Sequence, residues 1–199
     1  MISDLECAEF CQQIYTSANG WDHYWAMDDV VIGHKQLDGV DVIALRGSLT
    51  AEDWERDIYA YPRYTRQLGF IHSGFWIGME NALQEVQEVL TKPSVITGHS
   101  LGGARARILA GLLVVANKVP AKLCVFGSPK AGFSKHAKVI DDSGMEHISY
   151  RNANDPVPLL PAILPMWRHT EQWKWLMKPA PSGNFPEDHK LQYYVEGLS

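Results

Sequence analysis

Gly98-His99-Ser100-Leu101-Gly102, followed by Gly103 and Ala104, is the stretch that decides the fold. Upstream lies Ser94-Val95-Ile96-Thr97, a short apolar and β-branched segment just after Pro93. Downstream, Gly103 to Ala110 is rich in helix formers. A G-x-S-x-G pentapeptide between a strand and a helix is the context of a nucleophile elbow. So tight a turn leaves no room for side chains beside the serine, which gives Gly98 and Gly102 a steric reason to be glycine. Ser100 is expected at the turn tip in strained backbone. Its hydroxyl would stand over a helix N-terminus whose N–H groups favour developing negative charge. Read blandly, the same residues make a Gly-rich turn carrying an ordinary serine; the flanking strand and helix favour the elbow.

Working outward, the other segments alternate in the same way. Ser3-Asp4-Leu5-Glu6 is a capping-box pattern, and Leu5, Ala8, Cys11, Ile14 and Tyr15 continue it at helical spacing to about Thr16. Val30 to Ile32 and Val40 to Leu45 flank Asp38-Gly39 and predict a hairpin. Trp21 to Met27 has no clear period, and Tyr59 to Phe70, broken by Pro62, reads as a loop. Phe75, Met79, Ala82, Leu83, Val86 and Leu90 mark one helix facing a core. After a helix from Leu101 to about Asn117, strands are expected at Lys122 to Phe126 and His147 to Arg151. A weak helix lies between them, and a closing helix begins near Leu191. Such alternation predicts an α/β fold, with a mostly parallel central sheet and helices on both faces. No repeat or linker divides residues 1–199, so one domain is expected.

Composition excludes several functions. A net charge of −5 and the absence of any long basic run argue against nucleic acid as a partner. No apolar stretch approaches the length of a membrane span; Ile108 to Val115 sits in an amphipathic-looking helix. The N-terminal residues lack a basic start and an apolar run, so a cytoplasmic protein is expected; a mature secreted form without its signal, or release by a route that needs none, would read the same way. Three cysteines cannot all pair, and Cys7 and Cys11, one helical turn apart, are expected to line a helix face.

A serine hydroxyl needs a base, the base an orienting acid, and the oxyanion donors. In a doubly wound hydrolase the chain order is Ser, then Asp or Glu, then His. Asp155 sits just past a predicted strand, where functional groups gather, although Asn154-Asp155-Pro156 is also a good turn. Asp141 and Asp142 look like a solvated face. His136 and His147 precede Asp155, so chain order leaves His169 and His189 as candidate bases. The Leu101 N–H and a donor from Gly47-Ser48 are the candidate oxyanion hole. Arg105 and Arg107 are unusual in a helix packed against a sheet; one is expected to reach the surface and the other to find an acidic partner.

With these residues assembled, the chain resembles the class 3 lipases, the fungal-type triacylglycerol lipase family of the α/β-hydrolase fold. The motifs run in order: Leu45-Arg46-Gly47-Ser48, Trp54 with Asp57, His72-Ser73-Gly74-Phe75, Gly98 to Ala104, and Phe126-Gly127-Ser128-Pro129. Arg151 to Pro158 around Asp155, then Asp188-His189 with Tyr193, complete the set. The resemblance implies Ser100 as nucleophile, His189 as base and Asp155 as its orienter, and it leaves His169 structural. It implies an ester or lipid substrate cleaved through an acyl-enzyme, with no cofactor and no metal. In the family the segment after R-G-[ST] carries the lid. Here Leu49 to Ile58 takes that place and is short; its stretch Thr50 to Asp57 is strongly charged, with Trp54 the only large apolar group in it. That departure favours an esterase of short to medium acyl chains with at most transient contact with a lipid surface. The alternatives are a phospholipase A1-type hydrolase and a non-catalytic lipid- or partner-binding module.

Overall fold

In a computed structural model, residues 2–27, 29–48, 61–161, 165–170, 172–181 and 185–199 are described. Helix α1 (Asp4–Thr16) begins with the expected capping box: Ser3 accepts from the Glu6 amide, and the Glu6 carboxylate accepts from the Ser3 amide at 2.7 Å. Strands β1 (His23–Met27), β2 (Val30–Leu37) and β3 (Val40–Leu45) form an antiparallel meander. The β2–β3 turn holds Gly39 at φ +80°, the left-handed backbone that Asp-Gly turns supply. Strands β4 (Pro62–Thr65) and β5 (Gly69–His72) make a separate hairpin. Helices α2 (Ser73–Trp76) and α3 (Met79–Val89) lead to β6 (Ser94–His99), and α4 (Leu101–Val115) follows. The chain continues through β7 (Lys122–Phe126), α5 (Ser134–Asp141), β8 (Glu146–Asn152), β9 (Trp173–Leu176) and α6 (Leu191–Leu198).

The main sheet has the order β1-β2-β3-β6-β7-β8-β9, and every pairing from β3 onward is parallel. One face packs under α3, α4 and α5 around Ile43, Leu45, Ile96, Leu109 and Val125. The other packs under α1 and α6 around Cys7, Val42, Val95, Phe126 and Tyr194. The three cysteines are buried free thiols, and Cys7 and Cys11 lie on the core face of α1. Buried Lys122 reaches Asp4 at 2.6 Å and the Ile2 carbonyl at 3.1 Å, fastening the start of α1 to β7. Among the described residues no helix is long and apolar enough to cross a membrane.

Several expectations change. Trp21 to Met27, left without a period, contains edge strand β1, whose residues are no more than half buried. The predicted loop to Phe70 contains the β4–β5 hairpin; Pro62 opens its first strand, a position where a missing N–H costs no ladder bond. The single helix expected from Phe75 to Leu90 breaks at Gly78, φ +75°, into α2 and α3. Helix α4 is not amphipathic: Leu101 to Leu113 are all buried, because strands and helices surround it. Accordingly neither arginine reaches the surface. Arg105 donates to the Asp29 carbonyl at 2.6 Å. Arg107 donates to Thr170 Oγ1 at 3.0 Å and to the Ser149 hydroxyl, and lies 6.0 Å over the Trp173 ring. Neutral hydroxyls thus take the place of the expected carboxylate as its direct partners, and burial pushes the guanidinium pKa down to about 10.

Candidate active site

Strand β6 delivers Ser100 to the carboxyl edge of the parallel strands, at φ 58° and ψ −129°, as the N-cap of α4. This strained backbone is held from both sides. The Ser100 amide donates to the Phe126 carbonyl at 3.0 Å, and the Ser100 carbonyl accepts from Gly103 and Ala104 at 2.9 and 3.2 Å. The elbow tolerates no side chain at its glycines. A Cβ on Gly98 would lie 2.3 Å from the Gly102 carbonyl oxygen, and one on Gly102 would lie 2.1 Å from that of Leu45.

The three residues singled out for the chemistry meet at this elbow. Ser100 Oγ lies 2.8 Å from His189 Nε2, and His189 Nδ1 lies 2.8 Å from Asp155 Oδ2. Asp155 follows the end of β8, and His189 ends a 3-10 turn, Phe185–His189, just before α6. Burial alone would raise the Asp155 pKa, but the bonds and charge of His189, the Tyr194 hydroxyl and the Val157 amide outweigh it and hold the carboxyl below its ordinary value. An ionised carboxylate only accepts, so the neutral His189 ring carries its proton on Nδ1 and offers Nε2 to Ser100. The ring keeps a 19% exposed side chain while Asp155 is sealed, so protons enter and leave at the histidine. Gly127, at φ +54°, leaves the space between them open: a Cβ there would lie 2.9 Å from both Asp155 Oδ2 and His189 Cε1.

The oxyanion candidates lie beside the nucleophile. Strand β3 pairs with β6 so that Leu45 stands opposite Gly98, which brings Gly47 against the elbow. A Cβ on Gly47 would lie 3.3 Å from Ser100 Cβ. Leu101 is the first residue of α4, so its N–H has no intrahelical acceptor. The Ser48 hydroxyl is buried with no hydrogen-bond partner among the described residues. Trp54 and the segment Leu49 to Ile58 lie outside the described residues.

Other predicted or unpredicted groups take supporting places. His169 is half-buried, with Nε2 on the Pro158 carbonyl rather than on Ser100 or Asp155, and its pKa is pushed down to about 2, by desolvation first and then by Arg107. Tyr194, beside the Tyr193 of the C-terminal motif, donates to the Asp155 carboxylate, and the same hydroxyl accepts from the Asn152 amide at 3.2 Å. Asp188 is buried beside His189, where its carboxylate accepts from Ala180 and Asn154 amides at 2.6 and 3.1 Å. Asn152 ties the same loop through the Asp188 and Lys178 carbonyls at 3.2 and 2.8 Å. Asn152 and Asp188 lie inside the motifs read around Asp155 and His189, and Tyr194 lies next to one, but no sequence signal gave their bonds. Among the described residues no group of three or more His, Cys, Asp or Glu side chains is placed to hold a metal.

A parallel sheet, a strained serine at the strand-to-helix turn and an Asp–His–Ser relay define an α/β-hydrolase. Within that class the chain belongs to the class 3 lipase family, whose model, described as Lipase (class 3), matches residues 42–164. It is 31% identical over 149 residues to secreted mono- and diacylglycerol lipase A of Penicillium camembertii, covering 69% of this chain and 48% of that protein. With secreted mono- and diacylglycerol lipase 1 of Fusarium solani it shares 29% identity over 146 residues, 68% of this chain and 43% of the relative. The chain thus spans about half the length of the curated relatives it matches. The mono- and diacylglycerol lipase structure from Aspergillus oryzae superposes with a TM-score of 0.71 at 19% identity, over 91% of this chain and 82% of that one. That from Penicillium cyclopium gives 0.72 at 23%, over 89% and 78%. The expected cytoplasmic location does not stand, because the matched relatives are secreted proteins. Its grounds were weak physically: a leader is cut from a mature chain, and three buried thiols suit either compartment.

Proposed function

We propose that this protein is a serine carboxylester hydrolase that cleaves acyl esters of the mono- and diacylglycerol type, outside the cell. The observation that carries the reading is the continuous relay from Ser100 Oγ through His189 to Asp155, at 2.8 Å for each link. Ser100 attacks the ester carbonyl while His189 Nε2 takes its proton. Asp155, buried and ionised, stabilises the imidazolium that results. The oxyanion is held by the Leu101 amide and by the amide and hydroxyl of Ser48; one such donor is typically worth about 3 kcal/mol. His189 then protonates the leaving alcohol, and the acyl-enzyme remains on Ser100. Water, deprotonated by the same Nε2, attacks it and releases the fatty acid. The kinship with secreted mono- and diacylglycerol lipases supports the substrate class and the location. The short charged segment around Trp54 supports short to medium acyl chains over a broad oil interface.

The test is fluorophosphonate labelling of the wild type beside Ser100→Ala and His189→Ala, with mass spectrometry of the adduct and turnover of a chain-length series of glycerides. An adduct on Ser100, slowed in His189→Ala, and glyceride turnover abolished by Ser100→Ala are expected. A folded wild type that takes no adduct and turns over no ester overturns the reading.

A further inference from the structure

Helix α1 lies outside the residues matched by the family model, yet it reaches the site through one side chain. Tyr15 Oη lies 3.2 Å from Nδ1 of His99, the residue before the nucleophile. His99 Nε2 lies 2.8 Å from the backbone carbonyl of His189. The Tyr15 hydroxyl also packs against Gly47, the residue before Ser48. Its hydroxyl fills the space a side chain would need there: a Cβ on Gly47 would lie 2.2 Å from it.

The proton positions along this path follow from elementary chemistry. A carbonyl oxygen only accepts, so the His99 proton must sit on Nε2 and point at His189. Nδ1 is then a bare lone pair, and Tyr15 must donate to it. The same hydroxyl is 3.5 Å from the His99 carbonyl, a far longer contact than a good O–H bond, so Nδ1 holds the proton's direction. Burial, and then the neighbouring His189, push the His99 pKa down to about 3, which keeps the ring neutral. It stacks on His189 with centroids 4.7 Å apart, so the imidazolium formed there faces an uncharged neighbour. The path is thus Tyr15 O–H to His99 Nδ1 and His99 Nε2–H to the His189 carbonyl, with the Tyr15 hydroxyl packed against Gly47.

We propose that Tyr15 and His99 are positioning residues of the hydrolase reaction, forming a hydrogen-bonded brace that holds the oxyanion loop at Gly47-Ser48 in register with the backbone of His189. Neither touches the substrate. The brace sets the distance between the donor that receives the oxyanion and the base that moves the proton, and both acylation and deacylation use both groups. The proposal rests on Ser100 and His189 being the nucleophile and base.

The decisive measurement is steady-state ester hydrolysis by Tyr15→Phe, His99→Leu and His99→Gln, with rates expressed per site titrated by fluorophosphonate. Misfolding lowers the number of sites; a lost brace lowers turnover at each site. Per-site kcat is expected to fall about 10- to 100-fold in Tyr15→Phe and His99→Leu with KM within about twofold, one lost hydrogen bond at catalytic geometry accounting for the lower figure. His99→Gln, whose amide can still donate to the His189 carbonyl, should recover part of the loss. Per-site kcat within twofold of wild type in Tyr15→Phe overturns the brace while leaving the reaction intact, whereas a wild type that is neither labelled nor active overturns both. Nitrogen NMR of the wild-type histidines reads the same proposal without any variant: the neutral His99 proton belongs on Nε2, and finding it on Nδ1 overturns the brace.

Discussion

Acidification should destabilise this protein through histidines that the fold holds as neutral bases. His99, His136 and His169 have pKa values pushed down to about 3, 4 and 2, in each case first by burial. Arg107 adds to the effect at His136, whose Nε2 donates to its carbonyl at 3.3 Å, and at His169. In the unfolded chain each titrates near 6.5. The folded pKa is the lower one for a base, so below about pH 6.5 the unfolded state binds more protons and stability falls with pH. The loss continues until each folded pKa is passed. Between pH 6 and 5 roughly nine-tenths of a proton per histidine separates the two states, worth about 1.2 kcal/mol each and about 3–4 kcal/mol for the three. That is a large share of the 5–15 kcal/mol typical of a domain. Urea titrations at pH 7, 6 and 5 measure it. The sharper readout is His136→Gln, which keeps a donor for the Arg107 carbonyl but cannot be protonated; it should lose about 1 kcal/mol less than wild type between pH 6 and 5. Parallel stability curves for the two proteins would refute the assignment of His136 as a buried neutral base.

Gly102→Ala places a methyl group 2.1 Å from the Leu45 carbonyl oxygen and 2.9 Å from the Gly47 amide, both backbone atoms. Fluorophosphonate labelling of Ser100 should slow at least about 100-fold with far-UV circular dichroism retained, since a 1 Å displacement of reacting groups costs that much; labelling at the wild-type rate contradicts the packing. Asp188→Asn turns one carboxylate oxygen into a donor facing the buried amide of Ala180 or the partly buried amide of Asn154. The unmade bond costs about 2 kcal/mol, a Tm drop of roughly 4–8 °C for a chain of this size. A calorimetric Tm within a degree of wild type removes Asp188 from the loop's support.

The meeting of Ser100, Asp155 and His189 was legible because much of it depends on local patterns. Gly98, Ser100 and Gly102 are dictated by a single turn, and chain order together with the resemblance selected Asp155 and His189. The Asp38-Gly39 hairpin and the capped start of α1 were legible for the same reason: the signal lies within four residues of the structure it causes. What failed depended on distant neighbours. The contents of the α4 surroundings decide whether Arg107 is buried, and its partners Ser149 and Thr170 lie 42 and 63 residues away. Tyr193 and Tyr194 are adjacent in sequence, and only the orientation of α6 decides which hydroxyl meets Asp155. Tyr15 looked like one more apolar position of a helix stripe; its role rests on a contact with a residue 84 positions on. Location was not legible either, because composition carries no information about it.

The separation between Ser100 and His189 has a consequence for how the enzyme is born. The base is translated 89 residues after the nucleophile, with the orienting acid in between. At ribosomal rates of about 5–20 residues per second, the interval is about 4–18 s. Throughout it the nascent chain carries a serine with no imidazole to take its proton, and the buried network that fixes His189, built on Asn152, Asp188 and Tyr194, is incomplete. Under the proposed chemistry, ester hydrolysis therefore waits until nearly all of this stretch has been made.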